Sequence, residues 1–494
     1  MIYVTIHRLF IIFFLLYAML ILLFAQGFVA ENSSVTLAMI GSCIIIALIF
    51  GTRRAVIINI IIAFYVFQNY LTLPFVSFLN NQLSFKDSLY IESLHSYYTV
   101  EAAAVVYWSL FSLLLAWLIG LLALRPLKSN TSYWYPKLFK QFDYIVLDGA
   151  MLPFLMTFGL IYILNYKDPA SGLSGAVTGK GSCLFLWGLS SLHVINIVCL
   201  YAFLKRRYNK LKPAKYYLLI PVLCAVLYSV FSGQRSTAFF AIIYTIVYVL
   251  LLKFYKRWYL KSLIKIVLFI LITLPVTIIL ALFAQALRPL YKYSESVDTT
   301  MILDTMNYEY VLLAKDKLFF GLSELLQRLT ALKGQFYILN DWYIHEPLKY
   351  YNPVRTIMRI TNNLVPGSVF PGMFTINQLF DFIYYGTTIH YSSQYWSIQG
   401  TLYLYFGHIF APIAVFVLGI LINYIYPLIE RLFVKSPSFA AFFTLLLFDF
   451  LTNGTLDRIV PLDIIRPIIA FAIFLALYKV FSFFFQSIIS AHKK

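Results

Sequence analysis

Charge is what this chain has least of. Only 12% of its 494 residues are Asp, Glu, Lys or Arg, about half the ~25% usual in a soluble domain. Cysteine is scarce as well. Cys43, Cys183, Cys199 and Cys224 lie in or beside apolar runs, with no CxxC or metal-type spacing. That removes a disulfide scaffold and a thiolate metal site, and leaves the four as small buried hydrophobes. No P-loop occurs, so no ATP drive is encoded, and no HExxH marks a zinc site. Internal repeats and low-complexity tracts are missing too. What is abundant is apolar surface: 61% of the residues are hydrophobic and 19% aromatic, and the mean hydropathy is +0.82. This excess is too large for one anchor on a water-soluble body. The composition predicts an all-α polytopic membrane protein.

A bilayer core ~30 Å thick needs ~20 apolar residues in a helix, and on that scale the chain has twelve candidate spans. They run Leu9–Ala30, Val35–Phe50, Ala55–Phe75, Val100–Leu124, Tyr144–Leu164, Leu184–Leu204, Tyr216–Phe231, Thr237–Leu252, Leu263–Ala286, Ile398–Ile425, Phe439–Leu451 and Pro467–Phe485. The first exceeds the ~7–15 apolar residues of a signal-peptide core and is expected to stay as an anchor. With the N-terminus inside, the inner segments hold Arg8, Arg53, Arg54, the Lys205–Lys215 cluster, Lys253–Lys261 and Lys493–Lys494, against only Asp143 and Glu430 as acids. Cations collecting on one side orient the chain with that side in the cytoplasm. The net charge of +18 is therefore a topology signal rather than a nucleic-acid footprint, and both termini are expected inside. Asp148, Lys265, Asp449 and Lys479 fall within spans.

Three regions follow: residues 1–286 with spans one to nine, a large external loop at 287–397, and residues 398–494 with the last three spans. A loop that long tends to be functional. Leu318, Leu322, Leu325, Leu329 and Leu332 recur at helical spacing, with Lys317, Glu324, Gln327 and Lys333 opposite. That pattern predicts a helix lying on the membrane surface or over the span mouths. Asn352-Pro353, Pro366-Gly367 and Pro371-Gly372 read as turns. The loop's many aromatics suit both the headgroup zone and sugar rings.

Spans seven and eight are short, about 16 apolar residues each, reaching only ~24 Å at ~1.5 Å per residue. The Ser232-Gly233-Gln234-Arg235-Ser236 apex between them is therefore expected below the outer surface, with Arg235 in the membrane. Such a cation normally faces a cavity or partner. Arg235 either snorkels to headgroups or, with Gly233 and the neighbouring hydroxyls, forms an anion site for a membrane-embedded ligand. Asp449, within the short eleventh span, is a functional candidate or one half of an ion pair. Asp457-Arg458 and Asp463 with Arg466 can each pair locally. In the loop, Arg288 follows span nine directly, and Arg328, Arg355 and Arg359 are further candidate anion ligands. Arg355 and Arg359 are four apart, so on a helix they share a face and can grip one phosphate with forked hydrogen bonds. Each is otherwise a solvated or headgroup-bound charge. His345 and His390, the loop's only histidines, have the pKa to serve as a base near neutral pH, or are incidental. No DxD-type acidic pair occurs in the external segments, and Glu31 stands alone in the first. Metal-assisted glycosyl transfer from a nucleotide sugar is disfavoured on that face.

Two stretches resemble the Wzy-type oligosaccharide repeat-unit polymerases, the O-antigen polymerases of bacterial envelopes. Ser232-Gly233-Gln234-Arg235 before an apolar span is similar to that family's small-Gly-x-Arg segment. Gly400-Thr-Leu-Tyr-Leu-Tyr-Phe-Gly407, running into Gly419, is similar to its late Tyr, Phe-Gly stretch after the large periplasmic loop. Some members have Gly eleven residues after a loop Arg; here Gly367 is twelve after Arg355, and that motif is not carried over. The resemblance implies a substrate on undecaprenyl pyrophosphate, a polymer growing at its lipid-linked end, and residence in the bacterial inner membrane with a periplasmic active face. Preorganised arginines can neutralise the leaving diphosphate without metal, so neither metal nor cofactor is expected. The implied partners are the lipid-linked oligosaccharide and membrane lipids, with a chain-length regulator as a candidate. On this reading Arg235 and Arg288 bind pyrophosphate, Arg355 and Arg359 bind pyrophosphate or an acidic sugar, and His390, or else His345 or Asp457, activates the acceptor. Gly233, Arg328, Arg458 and Asp449 stand as further candidates. A lipid-linked oligosaccharide flippase and a ligase transferring finished glycan remain the competing functions.

Overall fold

The structure is a computed structural model. It describes residues 3–4, 6–24, 33–52, 54–71, 99–123, 145–165, 353–364, 369–370, 397–435 and 465–492, with isolated positions or pairs at 195, 198–199, 202–203, 206, 210–211, 216–217, 219–220, 223, 258–259, 335–336, 338–339, 447 and 451. These residues are helical apart from turns and a two-residue antiparallel ladder, β1 (Tyr3–Val4) on β2 (Trp258–Tyr259). The helices are α1 (Ile6–Phe24), α2 (Ser33–Gly51), α3 (Val56–Val66, continued by a π-helical turn Phe67–Leu71), α4 (Val100–Ala123), α5 (Met151–Asn165), α6 (Pro353–Leu364), α7 (Ser397–Lys435) and α8 (Arg466–His492). Three of them, α2, α4 and α7 over Ser397–Tyr424, are long and apolar enough to cross a membrane. The eighth and ninth expected spans and the Leu318–Lys333 helix lie outside the described residues.

The pattern of exposure says what solvent these helices face. In α1, Phe14, Tyr17, Ala18 and Ile21 are buried, while Ile12, Phe13, Leu16, Met19, Leu20 and Leu23 are exposed. A face of that kind on a helix with no polar stripe suits acyl chains, because the backbone groups are already paired within the helix. Polar side chains turn inward. Trp117 Nε1 donates to Asn59 Oδ1 at 2.9 Å, Asn59 Nδ2 donates to the Arg54 carbonyl at 2.8 Å, and Arg54 Nη1 donates to the Leu121 carbonyl at 2.6 Å. The turn from α2 to α3 is thus tied to the end of α4. Phe10 of α1 stacks on Phe50 of α2 at 4.5 Å between centroids, joining the start of one helix to the end of the other. Cys43 and Cys199 are buried free thiols, as expected of small apolar residues.

α4 and α7 approach each other through small residues, which lets backbones pack closely without a hydrophobic drive between helices. A Cβ on Gly419 would sit 2.7 Å from the Leu113 carbonyl oxygen and 2.9 Å from Ala116 Cβ, and one on Gly120 would overlap the Asn423 amide. That amide crosses the interface, its Nδ2 lying 3.1 Å from the Trp117 carbonyl and 3.4 Å from that of Ala116. Gly120→Leu or Gly419→Leu therefore has no room. Either variant is expected to lose the bulk of folded protein in detergent extracts, read as monodisperse yield against wild type. Wild-type yield from both would show that the two helices do not touch here.

A second apolar cluster joins Val146–Leu155 and α8 with Ile195, Val198, Cys199, Ala202, Phe203, Tyr217 and Ile220. α5 and α8 run antiparallel: Phe154 meets Tyr478 at 5.3 Å and Phe158 meets Phe474 at 5.6 Å between ring centroids.

α7 differs from the expected span Ile398–Ile425. Gly407 has φ 63° and ψ −164°, a region open essentially to glycine, and it breaks the helix. Before the break no residue of Ser397–Tyr405 is exposed, and Ser397, Gln399 and Thr401 are buried. From Phe406 on, Ile409, Phe410, Ile413, Val417, Leu421 and Tyr424 form an exposed stripe. Residues 408–427 rise ~29 Å at ~1.5 Å per residue, matching a ~30 Å core, and Arg431 and Lys435 follow. The exposed apolar stripe thus starts at the break, and the segment ahead of it carries buried polar side chains.

Candidate functional site

Two polar groupings converge on the first half of α7. The first centres on tyrosines. The π-helical turn at Phe67–Leu71 puts Tyr70 beside Tyr65, their hydroxyls 2.9 Å apart, and Tyr107 OH of α4 donates to the Tyr70 carbonyl at 3.0 Å. Tyr17 OH of α1 donates to the Leu71 carbonyl. A π-turn leaves carbonyls out of register with the α ladder, which is why side chains from other helices find acceptors there. Gln335 enters from the large loop, its Nε2 donating to Ser397 Oγ at 2.6 Å and Tyr70 OH at 3.0 Å. Tyr403 OH donates to Gln399 Oε1 at 3.1 Å. All of these rings and amides except Tyr17 are fully buried. One buried network thus ties α3, α4, α7 and the loop together, and buried polar groups hold a unique geometry when they are paired this way.

The second grouping is the arginine helix. α6 begins at Pro353, where the Asn352-Pro353 pair predicts a turn. Proline suits the first helical position because its missing N–H would be unpaired there in any case. Arg355 is half-buried, and Arg359 is only 3% exposed. The helical spacing expected for this pair is what the structure has. Arg359 Nη2 lies 3.4 Å from Thr356 Oγ1, and Thr356 Oγ1 lies 3.1 Å from Tyr405 OH of α7. The loop also touches α7 one turn later, where His408 Nε2 lies 2.6 Å from the Leu339 carbonyl oxygen. The chain leaving α6 is pinned by Asn362, whose Nδ2 donates to the Phe370 carbonyl at 2.8 Å while its Oδ1 accepts from Phe370 N at 2.9 Å.

The Arg359 guanidinium (through Thr356), buried hydroxyls and a loop amide therefore gather around Ser397–Tyr405, just ahead of the Gly407 break. Such an arrangement binds an oxyanion or a hydroxyl-rich group without metal.

No family model, curated protein or solved structure matches this chain.

The site accordingly stands on its own residues. Of the residues singled out in the sequence, Arg355 and Arg359 lie on α6, and Arg359 reaches the Thr356 hydroxyl that meets Tyr405 of α7. Arg235, Gly233, Arg288, Arg328, His345, His390, Asp449, Asp457 and Arg458 lie outside the described residues. Sequence reasoning missed Tyr65, Tyr70, Tyr107, Gln335, Thr356, Ser397 and Gln399, whereas Tyr405 stands in the Gly400–Gly407 stretch that carries the resemblance. A signal was present for two of them: Gln399 opens an apolar run, and Tyr70 follows the polar pair Gln68-Asn69 inside another.

A third polar grouping lies in the α5–α8 cluster. Asp148 accepts from Tyr478 OH, and from Ser482 Oγ at 3.4 Å. Arg206 Nη2 donates to the Leu147 and Asp148 carbonyls at 2.9 and 2.8 Å, and its guanidinium lies 5.2 Å over the Tyr217 ring. Arg206, within the Lys205–Lys215 cluster assigned to the cytoplasmic side, is only 5% exposed. It acts as a clamp between segments.

Proposed function

We propose that the chain is a metal-independent glycosyltransferase that polymerises undecaprenyl-pyrophosphate-linked oligosaccharide repeat units into O-antigen or a related polysaccharide. The reaction runs at the periplasmic face of the bacterial inner membrane. The acceptor hydroxyl oxygen forms a bond to the anomeric carbon of the lipid-linked sugar as the bond to the pyrophosphate oxygen breaks. The hydroxyl proton passes to a base, for which His390, His345 and Asp457 are the candidates. The departing diphosphate is stabilised by guanidinium groups from Arg235, Arg288, Arg355 and Arg359.

One observation carries the reading: a short loop helix bearing two arginines packs on α7 through Thr356 and Tyr405, with Arg359 buried beside Thr356, next to the start of the apolar exposed stripe of α7. A diphosphate tethered to a polyprenol arrives at that height. The buried tyrosine–glutamine network beside it supplies a rigid wall against which a sugar chain can be positioned. The twelve-span topology with both termini inside is part of the same proposal. It is supported by contacts joining ends that the cation distribution assigns to one side: Tyr3–Val4 with Trp258–Tyr259, Arg54 with Leu121, and Asp148 with Ser482.

The test is the glycan size profile of a deletion strain complemented with wild type or Arg235→Ala. Arg235→Ala is expected to give single-repeat product without long polymer. Unchanged chain lengths in a well-expressed variant would remove Arg235 from the mechanism. Long unattached polymer in the deletion strain would point to ligation, and precursor accumulating at the cytoplasmic face would point to transport.

A further inference from the structure

α6 buries the wrong side for a helix in water. Val354 and Ile357 are 62% and 63% exposed, and Thr361 lies on the same exposed face. Thr356 and Arg359 on the opposite face are buried. A surface helix of a soluble protein turns its apolar stripe to the core and its charges outward. Here the guanidinium faces protein, and the branched aliphatic side chains face out. Val369, half exposed, is held near the helix end through the Asn362–Phe370 clasp.

The neighbouring surface decides what covers it. Thr356 contacts Tyr405, the residue directly before the lipid-facing stripe of Phe406, Ile409, Phe410 and Ile413. The exposed face of α6 therefore continues a surface that already belongs to acyl chains, at the boundary of the hydrocarbon core. We propose that α6 is an interfacial helix embedded in the outer leaflet, with Val354 and Ile357 among the lipid acyl chains and Arg355 and Arg359 at the depth of the phospholipid phosphates. Interfacial helices of this kind bury their apolar face ~5–10 Å into the headgroup–acyl boundary. The depth goes beyond the catalytic reading and does not depend on it. Its consequence does rest on that reading: the arginine pair meets a lipid diphosphate sideways, from within the leaflet, without the diphosphate leaving the membrane.

The experiment places the photoreactive residue p-benzoylphenylalanine at Ile357, at Val354 as a second site, and at Ile409 as the lipid-facing reference. The full chain is reconstituted in vesicles of phosphatidylethanolamine and phosphatidylglycerol. Irradiation is expected to give phospholipid adducts at Ile357 and Val354 in yield matching Ile409, read as the added lipid mass on intact protein. Lipid adducts at Ile409 alone would overturn the proposal. Adducts of doubled protein mass at Ile357 and Val354 would overturn it in favour of a second copy covering the helix. The readout needs no activity, so the two readings fail separately. Lipid adducts together with normal polymer from an Arg355 and Arg359 variant would keep the embedded helix and remove the pair from catalysis.

Discussion

Cells carrying Arg355→Ala together with Arg359→Ala should make single-repeat product and no long polymer. Each guanidinium offers a planar fork of donors to phosphate oxygens, and negative charge builds on those oxygens as the glycosidic bond breaks. Removing one preorganised donor to a developing oxyanion typically costs roughly 10²–10³-fold in rate. The single variants separate function from folding. Arg355 is half-buried, so Arg355→Ala should leave expression and extraction unchanged while shortening the glycan ladder. Arg359 is buried beside Thr356 and Tyr405, so Arg359→Ala is expected to loosen α6 as well. Arg359→Lys keeps the charge and loses the fork, and should polymerise less than wild type yet accumulate normally. The check is chain-length distribution on a glycan gel at matched protein level. A wild-type ladder from the double variant would exclude the pair from the reaction.

The second large effect belongs to Arg206. Its Nη2 satisfies the carbonyls of Leu147 and Asp148 just ahead of α5, and its plane covers Tyr217. Arg206→Ala leaves those part-buried carbonyls without their donor. Hydrogen bonds to a charged group are worth about 1.5–3 kcal/mol each, and a cation–π contact adds about 0.5–2 kcal/mol. The variant is expected to unfold or aggregate at clearly lower temperature than wild type in the same detergent, measured by loss of the monodisperse peak after heating. Arg206→Lys should be intermediate, because a point cation cannot serve both carbonyls and stack on the ring. An unshifted curve for Arg206→Ala would mean that the segments are held by apolar packing alone. Arg355 of α6 should behave oppositely, its alanine variant losing product length while thermal stability is kept.

Local regularity made much of this legible. Apolar runs of bilayer length mark α2 and α4 within two residues of their observed ends, because a span is a property of consecutive residues. The four-residue spacing of Arg355 and Arg359 gave their common helix for the same reason. Asn352-Pro353 predicts a turn because Asn-Pro is a frequent turn pair, yet the same ring geometry serves a helix start. The Gly407 break was hidden by unbroken hydropathy on either side. The tyrosine network had no local trace at all: Tyr70 and Ser397 are 327 positions apart, and Gln335 reaches Tyr70 across 265.

The sequence alone determined that this is a helical membrane protein, since its continuous apolar runs match the ~20 residues of a spanning helix, in which every backbone group is paired within the segment. It also determined which residues of α6 share a face, because helical periodicity is local. Only the tertiary structure decided which of the two faces turns inward. Periodicity is indifferent to that choice, and the Thr356–Tyr405 contact, made across two elements, sets it.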